Sequence, residues 1–142
     1  MSRTLELTKE LISKASITPQ DEGCQDLISE RLLKIGFKVE RLDFGKVSNL
    51  WATIGTGEKT LVLVGHTDVV PTGPLEEWES DPFTGEERKG LLYGRGSADM
   101  KGSVAAFVTA CEDIISEKIK LKGNLAIMLT SDEEGPAIDG VK

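Results

Sequence analysis

Two apolar runs, one in the middle of the chain and one near its end, restrict the fold more than any other feature of the sequence. Residues 60–65 are TLVLVG and residues 124–130 are NLAIMLT, and continuous apolar runs of this length are typical of strands in the middle of a sheet. Between them, a helix is predicted from about Lys101 to Lys118. Its apolar face would consist of Val104, Ala105, Val108, Cys111, Ile114 and Ile115. Strand, helix and strand in this order predict an α/β fold.

Two further helices are predicted in the N-terminal part of the chain. About the first 15 residues have apolar side chains at helical spacing. Thr18 would cap the second helix, with Pro19 at its first position and Asp21 completing a capping-box-like pattern. Gly36 would follow its end. The buried stripe of this helix would consist of Cys24, Leu27, Ile28, Leu32 and Ile35.

The segments between the second helix and residue 60 predict additional strands. Residues 37–44, FKVERLDF, alternate as a half-buried strand does, and residues 49–55, NLWATIG, follow closely. This succession indicates an antiparallel portion. We therefore expect a three-layer α/β sandwich with a mixed, mainly parallel central sheet. The segment from Pro71 to Gly90 is rich in Pro, Gly and acidic residues, which favours a long loop or a short hairpin connection.

Composition excludes several classes of function. A chain of 142 residues has the size of one domain. Its formal net charge of −7 argues against a nucleic-acid partner, and it contains neither a signal-peptide pattern nor a stretch of membrane-spanning length. We therefore expect a cytoplasmic protein that acts on a small molecule and does not contact a membrane. Cys24 and Cys111 are widely separated, which favours free thiols over a disulfide.

Three polar clusters mark possible chemistry, and the first follows the apolar run at residues 60–65. His66 and Asp68 are two residues apart, so both would point to one face if the strand continues. A carboxylate placed there can fix the tautomer of the imidazole and leave its other nitrogen available for a metal ion. The alternative is a solitary histidine at a strand end that makes ordinary hydrogen bonds.

The second cluster is the glycine-rich segment LLYGRGSADMKG, which contains Asp99. Closely spaced glycines allow the backbone to approach other groups, and the aspartate could point inward. The pattern matches neither a Walker loop nor a dinucleotide fingerprint, so a phosphate cradle is disfavoured. The alternative is that Asp99 only caps the helix that follows.

The third cluster is the acidic triplet Asp132, Glu133 and Glu134 at the end of the last apolar run. Acidic runs are usually solvated surface turns, which is the alternative for this cluster. Ligands of open α/β sheets bind at the carboxyl ends of strands, so the three clusters could converge. Together they would provide one imidazole and several carboxylates, which suit a hydrolytic site with two metal ions.

These clusters resemble a known family. Residues 65–83 (GHTDVVPTGPLEEWESDPF), 92–112 (LYGRGSADMKGSVAAFVTACE) and 130–140 (TSDEEGPAIDG) closely resemble a di-zinc metallopeptidase family that includes acetylornithine deacetylase and aminoacylases. The resemblance extends along the whole chain and implies a zinc-exopeptidase-like catalytic domain. Within the family, the loop from Pro71 to Phe83 is similar to that of members that hydrolyse an N-succinylated diamino acid.

The resemblance assigns roles to individual residues. It implies that His66 and Glu134 each ligate one of two zinc ions, with cobalt as a possible substitute, and that Asp99 bridges both ions. Glu133 would be the general base, Asp68 would hold His66 by a hydrogen bond, and Asp132 receives no role. The reaction implied is amide hydrolysis. The family also has a cis peptide bond after the bridging aspartate, here Asp99–Met100.

The number of ligands indicates that the site is incomplete. Two tetrahedral zinc ions have about eight coordination positions, of which a bridging aspartate and a bridging water fill about four. His66 and Glu134 supply two more, and the chain contains no second histidine. We therefore expect residues 1–142 to be the N-terminal part of the catalytic domain, without the lid and dimerisation domain of a homodimeric enzyme. The alternatives are another N-acyl amino-acid deacylase of this family and a non-catalytic truncated product.

Overall fold

The structure, a computed structural model, describes residues 2–140 and contains three α-helices and six strands among them. The helices are α1 (Arg3–Ile12), α2 (Cys24–Lys34) and α3 (Gly102–Ser116). The strands are β1 (Lys38–Arg41), β2 (Asn49–Ile54), β3 (Thr60–His66), β4 (Glu86–Arg88), β5 (Leu91–Tyr93) and β6 (Asn124–Thr130). A short 3-10 helix, Leu75–Glu77, precedes β4, and a single wide helical turn, Ser97–Lys101, precedes α3.

The main sheet is mixed, as the sequence predicts, but among residues 2–140 it is not mainly parallel, because two of its three strand pairings are antiparallel. Its strand order is β1-β2-β6-β3, in which β6 pairs antiparallel with β2 and parallel with β3. β1 and β2 form an antiparallel hairpin. The parallel pair is joined through α3, so the predicted succession of strand, helix and strand is confirmed. Among residues 2–140, β3 lies at an edge of this sheet and not in its middle, where the apolar run at residues 60–65 predicts it.

The core lies between one face of the sheet and the three helices, so residues 2–140 form two layers of the predicted three-layer sandwich. Strand residues alternate between the two faces, so one set of side chains from β2 and β6 packs against the helices. The buried members of this cluster include Leu7, Leu11, Ile28, Leu32, Leu50, Ala52, Val104, Val108, Ile127 and Leu129. On the other face of the sheet, Val62 and Val64 of β3 are 37% and 48% exposed.

The predicted start of the second helix is wrong. α2 begins at Cys24, several residues after Thr18, and Thr18 does not cap it. The reason is a competing contact, because Thr18 donates its backbone N–H to the carbonyl of Val69, and Val69 donates to the carbonyl of Ser16. These bonds hold the segment extended beside the chain that follows β3. The carboxylate of Asp21 instead accepts the backbone N–H of Gln25 in the first turn of α2.

Three further sequence expectations for local structure are confirmed, namely the long loop after Pro71, the two free thiols and the cis peptide bond. The segment from Pro71 to Gly90 is a long loop that leads into the small β4-β5 hairpin. Cys24 and Cys111 are buried free thiols. The peptide bond between Asp99 and Met100 is cis. In the part of the chain that the structure describes, the helices are too short or too polar to cross a membrane.

Candidate metal centre

The parallel pairing of β3 with β6 brings the first and third polar clusters together. His66, the last residue of β3, is opposite Thr130, the last residue of β6, so both strands end at one edge of the sheet. The residues that follow each strand therefore leave the sheet side by side. Asp68 and the pair Glu133 and Glu134 belong to these two segments, which confirms the predicted convergence for the first and third clusters.

His66 is the buried centre of the cluster. Its Nδ1 lies 2.9 Å from the carbonyl oxygen of Asp68 and 3.4 Å from Oδ1 of the same residue. A carbonyl oxygen can only accept, so Nδ1 must donate its proton in this bond. On the other side of the ring, Nε2 lies 3.0 Å from Oδ1 of Asp99 and 3.8 Å from Oε2 of Glu133. Nε2 therefore faces the carboxylates and is the nitrogen that could bind a metal ion.

The same contacts set the protonation of His66 in the metal-free chain. Burial alone would lower the pKa of His66, but its hydrogen bonds with the side chain and backbone of Asp68 and with Asp99 outweigh burial and raise the pKa to about 9. A metal ion at Nε2 would replace this proton, since only the neutral imidazole is a ligand.

Asp68 connects the segments that follow the two strands. Its side chain is fully buried, and its two oxygens accept the backbone N–H groups of Glu133 and Glu134 at 3.3 and 3.0 Å. Burial acts to raise the pKa of Asp68, but the hydrogen bonds from His66 and from these two N–H groups hold it below its ordinary value. Asp68 is thus ionised and holds both His66 and the Glu133–Glu134 backbone in place.

The turn between Gly96 and Lys101 places Asp99 beside His66. Lys101 donates its backbone N–H to the carbonyl of Gly96 at 2.9 Å, and Asp99 has a non-helical backbone within this turn. Gly96 has a φ of +79°, and a Cβ there would lie 2.5 Å from Cγ1 of Val69, so only glycine fits. The side chain of Asp99 is 75% exposed and points to His66 rather than capping α3.

The donor atoms fit a divalent cation. His66, Glu133 and Glu134 offer ligand atoms that all lie within 4.8 Å of one another. Partial burial raises the pKa of Glu134, and the negative charges of Asp99 and Glu133 raise it further. A cation would relieve this repulsion, and one imidazole with several carboxylates is a donor set that suits zinc.

Two cavities meet at Asp99. The larger, of about 440 Å³, is lined by His66, Asp99 and Glu133 together with Val64, Met100 and Thr130. The smaller, of about 180 Å³, is lined by Asp99 and Glu134 together with Val70 and the segment from Gly94 to Ala98. Asp99 therefore faces both spaces, with a different glutamate on each side of it.

The structure also adds residues for which the sequence indicated no role at this site. Next to His66 in the chain, the hydroxyl of Thr67 donates to the buried carboxylate of Asp21 at 2.6 Å. The side-chain amide of Gln25 donates to the same hydroxyl at 3.3 Å. Burial is the main cause of a raised pKa at Asp21. Lys101, within the glycine-rich segment, is 1% exposed, and Asp132 is 3% exposed. In the sequence, Thr67, Lys101 and Asp132 lie within the three clusters, whereas nothing connects Asp21 and Gln25 with them.

The long loop after Val70 is fastened to the glycine-rich segment. The guanidinium of Arg95 lies 5.3 Å from the ring centroid of Trp78, and its Nη2 donates to the carbonyl of Pro71 at 3.2 Å. The indole N–H of Trp78 donates to the carbonyl of Thr72 at 3.0 Å. These bonds fold the loop back on itself near the smaller cavity.

The fold and these residues match a known class of protein. The family model described as peptidase family M20/M25/M40 matches residues 62–142, which include His66, Asp68, Asp99, Glu133 and Glu134. This match covers more than half of the chain, so the chain belongs to this family.

Individual relatives agree with the family. The chain is 60% identical over 142 residues to succinyl-diaminopimelate desuccinylase of Stenotrophomonas maltophilia (strain K279a), and the match covers 100% of this chain and 38% of that protein. The chain therefore spans well under half the length of this curated relative.

Solved structures give the same fold. Human carnosine dipeptidase 1 matches with a TM-score of 0.88 and 25% identity, over 96% of this chain and 33% of that one. An M20 family metallo-carboxypeptidase from Sulfolobus solfataricus matches with a TM-score of 0.85 and 26% identity, over 94% of this chain and 32% of that one. The described residues therefore have the α/β fold of part of these proteins.

Proposed function

We propose that this chain supplies the N-terminal part of the catalytic domain of a zinc-dependent amidohydrolase. The proposed reaction is the hydrolysis of N-succinyl-LL-2,6-diaminopimelate to succinate and LL-diaminopimelate, a step in the biosynthesis of lysine and of cell-wall precursors. The observation that carries the proposal is the convergence of His66, Asp99, Glu133 and Glu134 at one edge of the sheet. The 60% identity to a desuccinylase over the whole chain supports the substrate.

The proposed ligands are His66 for one zinc ion, Glu134 for the other and Asp99 for both. The position of Asp99 between the two cavities supports the bridging role. Cobalt could replace zinc, because both ions accept imidazole and carboxylate ligands. When bound, the ions would polarise the amide carbonyl and acidify a water molecule.

Glu133 is the proposed general base. Its carboxylate is exposed to the larger cavity, and its Oε2 is the atom that faces Nε2 of His66 at 3.8 Å. It would accept a proton from water and pass it to the amine that leaves. Asp68 would act as a positioning residue, since its oxygens are occupied by His66 and by the backbone of Glu133 and Glu134.

Some ligands are expected to come from outside residues 1–142. The chain has one histidine, and the proposed set leaves about two coordination positions of two tetrahedral zinc ions without a protein ligand. We therefore expect the 142-residue chain by itself to bind zinc weakly and to have negligible hydrolase activity. The lid and dimerisation domain, a homodimeric assembly and a cytoplasmic location remain predictions from the sequence.

The test uses residues 1–142 joined to the remainder of the Stenotrophomonas maltophilia relative, referred to below as the completed protein. Its turnover of N-succinyl-LL-2,6-diaminopimelate is compared with that of N-acetylornithine and other N-acyl amino acids, before and after removal of metal with a chelator. Preference for the succinylated substrate and its loss on chelation support the proposal. Preference for another acyl group supports a different deacylase of the family, which is the second candidate.

A non-catalytic role for the short chain is the third candidate, and the same assay addresses it. If the completed protein hydrolyses none of these substrates although it binds zinc, the catalytic proposal is wrong. If the unfused 142-residue chain hydrolyses the succinylated substrate as fast as the completed protein does, the ligand count is wrong.

A further inference from the structure

We propose that Lys101 is a positioning residue for Asp99, and that it acts by anchoring the turn between Gly96 and Lys101 to the C-terminal end of α1. This inference rests on the proposed function, because it concerns the residue proposed to bridge the metal ions. It assigns a role in the site to a side chain that does not face the cavities.

Lys101 is buried to an extent that is unusual for lysine. Its side chain is 1% exposed, and its Nζ donates to the carbonyls of Leu11 and Lys14, each at 2.7 Å. A buried ammonium group is strongly destabilising unless charged or polar partners compensate for its lost hydration. The two carbonyls belong to the last turn of α1 and the residues just after it, where the helix dipole favours a positive charge.

The stem of Lys101 lies against the turn that holds Asp99. A Cβ built on Gly96 would lie 3.3 Å from Cδ of Lys101, so the stem passes close to Gly96. The backbone N–H of Lys101 closes the turn on the carbonyl of Gly96 at 2.9 Å. Lys101 therefore joins both ends of the turn to α1, and Asp99 lies between those ends.

Burial disfavours the charged form of Lys101 and lowers its pKa, although the negative charges of Asp21 and Asp68 favour that form. The reason for a cation here is therefore the pair of bonds from Nζ to the end of α1. A neutral residue of equal size would remove these two anchoring bonds. The side chain of Asp99 is 75% exposed, so its position depends on the turn and on its 3.0 Å contact with Nε2 of His66.

A purely structural role in capping α1 is the competing explanation. It predicts that a change at Lys101 lowers the stability of the fold without a specific effect on Asp99. The two explanations differ in a double-mutant cycle, because residues that act through each other have non-additive effects and independent residues have additive effects.

The first arm needs no metal ion. His66 is the only histidine of the chain, so its ring nitrogen and proton signals in nuclear magnetic resonance spectra of the metal-free 142-residue chain are unambiguous. Asp99→Ala removes the contact at Nε2 and should shift these signals. Lys101→Met should shift them in the same direction, and should add nothing when Asp99 is already alanine. Lys46→Met, a change of an exposed lysine in the β1-β2 hairpin, is the control and should leave them unchanged.

The second arm measures zinc affinity of the completed protein by competition with a chromophoric chelator. Lys101→Met should weaken zinc binding about 10-fold or more, as loss of the partners that orient metal ligands generally does. In the Asp99→Ala background the same change should weaken it less than about twofold, since the coupling is then lost. Lys46→Met should have no effect in either background.

Each outcome has a definite meaning. Equal effects of Lys101→Met in the wild-type and Asp99→Ala backgrounds in both arms would overturn the inference. If the completed protein binds no zinc before mutation, the proposed function fails, and the metal-free arm still decides the role of Lys101.

If Lys101→Met does not fold by circular dichroism, Lys101→Arg is used, which keeps the charge and donors. A smaller effect that again depends on Asp99 supports the inference, and an additive effect overturns it.

Discussion

The carboxylate of Asp68 accepts the backbone N–H of Glu134 at 3.0 Å, and this bond joins the segments that follow β3 and β6. The other oxygen of Asp68 accepts the N–H of Glu133 and lies 3.4 Å from Nδ1 of His66. One buried carboxylate thus sets the relative positions of the three side chains that could surround a metal ion. The arrangement explains why Asp68 is fully buried although it is charged.

Asp68→Asn should weaken the hydrogen bonds that hold the site, although the side chain keeps nearly the same size and shape. An amide has one acceptor oxygen, so at least one of the backbone N–H groups of Glu133 and Glu134 would face an N–H₂ group. We expect zinc affinity of the completed protein to fall about 10- to 100-fold. The free energy of unfolding should fall by about 1–3 kcal/mol. Isothermal titration and urea denaturation measure the two effects.

The matched control for this change is Glu30→Gln, which removes one carboxylate charge from the exposed face of α2. It should change neither zinc affinity nor stability measurably, because solvent-exposed charges contribute little. Zinc affinity that is unchanged in Asp68→Asn would contradict the positioning role.

The metal-free chain should become less stable as the pH rises above neutral. The pKa of His66 is about 9 in the folded chain against an ordinary value of 6.5, so the folded state binds the proton more tightly than the unfolded state. This stabilisation is complete below about pH 6.5 and is lost as the pH rises through about 9. The loss would amount to at most about 3 kcal/mol.

Two measurements check this prediction. The single histidine should titrate near pH 9 by nuclear magnetic resonance. The decrease in unfolding free energy between pH 6.5 and pH 9 should be smaller in His66→Gln, which cannot be protonated in this range. A histidine that titrates at its ordinary value would show that the contacts with Asp68 and Asp99 do not hold the proton in solution.

The convergence of the first and third clusters could be predicted from sequence because it follows from strand order, whereas Asp99 of the second cluster reaches them from the turn before α3. Two apolar runs joined by a helix form parallel neighbours, and parallel neighbours end at one edge of the sheet. The predicted run at residues 124–130 coincides with β6, and residues 60–65 fall within β3. The side chains after each run therefore meet at that edge.

Several contacts around the site could not be predicted from the sequence, since they join residues that are distant in the chain. Thr18 had the local pattern of a helix cap, but its N–H bonds to Val69, about fifty residues away, and this contact overrides the local preference. The sequence does not indicate that Lys101 is buried, because its burial depends on where α1 ends. The backbone bonds of Asp68 likewise require the folded pairing of β3 and β6.

The 142-residue chain should associate in solution. Among residues 2–140, β3 is paired on one side only, and its Leu61, Val62 and Val64 are 63%, 37% and 48% exposed. An exposed apolar edge strand favours pairing with another chain. Sedimentation velocity should therefore show association that increases with concentration.

Val62→Lys should reduce this association, because an edge lysine opposes strand pairing. Leu33→Lys is the control, as Leu33 is 56% exposed on α2, away from the edge strand. A wild-type chain that stays monomeric and unfolds in one sharp transition would contradict the prediction.

Glu133 and Glu134 are adjacent, yet their proposed roles predict opposite effects of the same substitution on bound zinc. In the completed protein, Glu133→Gln should retain bound zinc and lose about 10²- to 10⁴-fold in turnover, because it removes the general base without removing a ligand. Glu134→Gln should lose zinc together with activity, since an amide is a poorer ligand than a carboxylate.

Metal content by atomic absorption and kcat for the succinylated substrate are measured on the same samples. If Glu133→Gln also loses its zinc, Glu133 is a ligand rather than the base. The backbone N–H groups of both residues bond to Asp68 whatever their side chains are, so neither substitution removes this anchor, and the comparison isolates the two carboxylates.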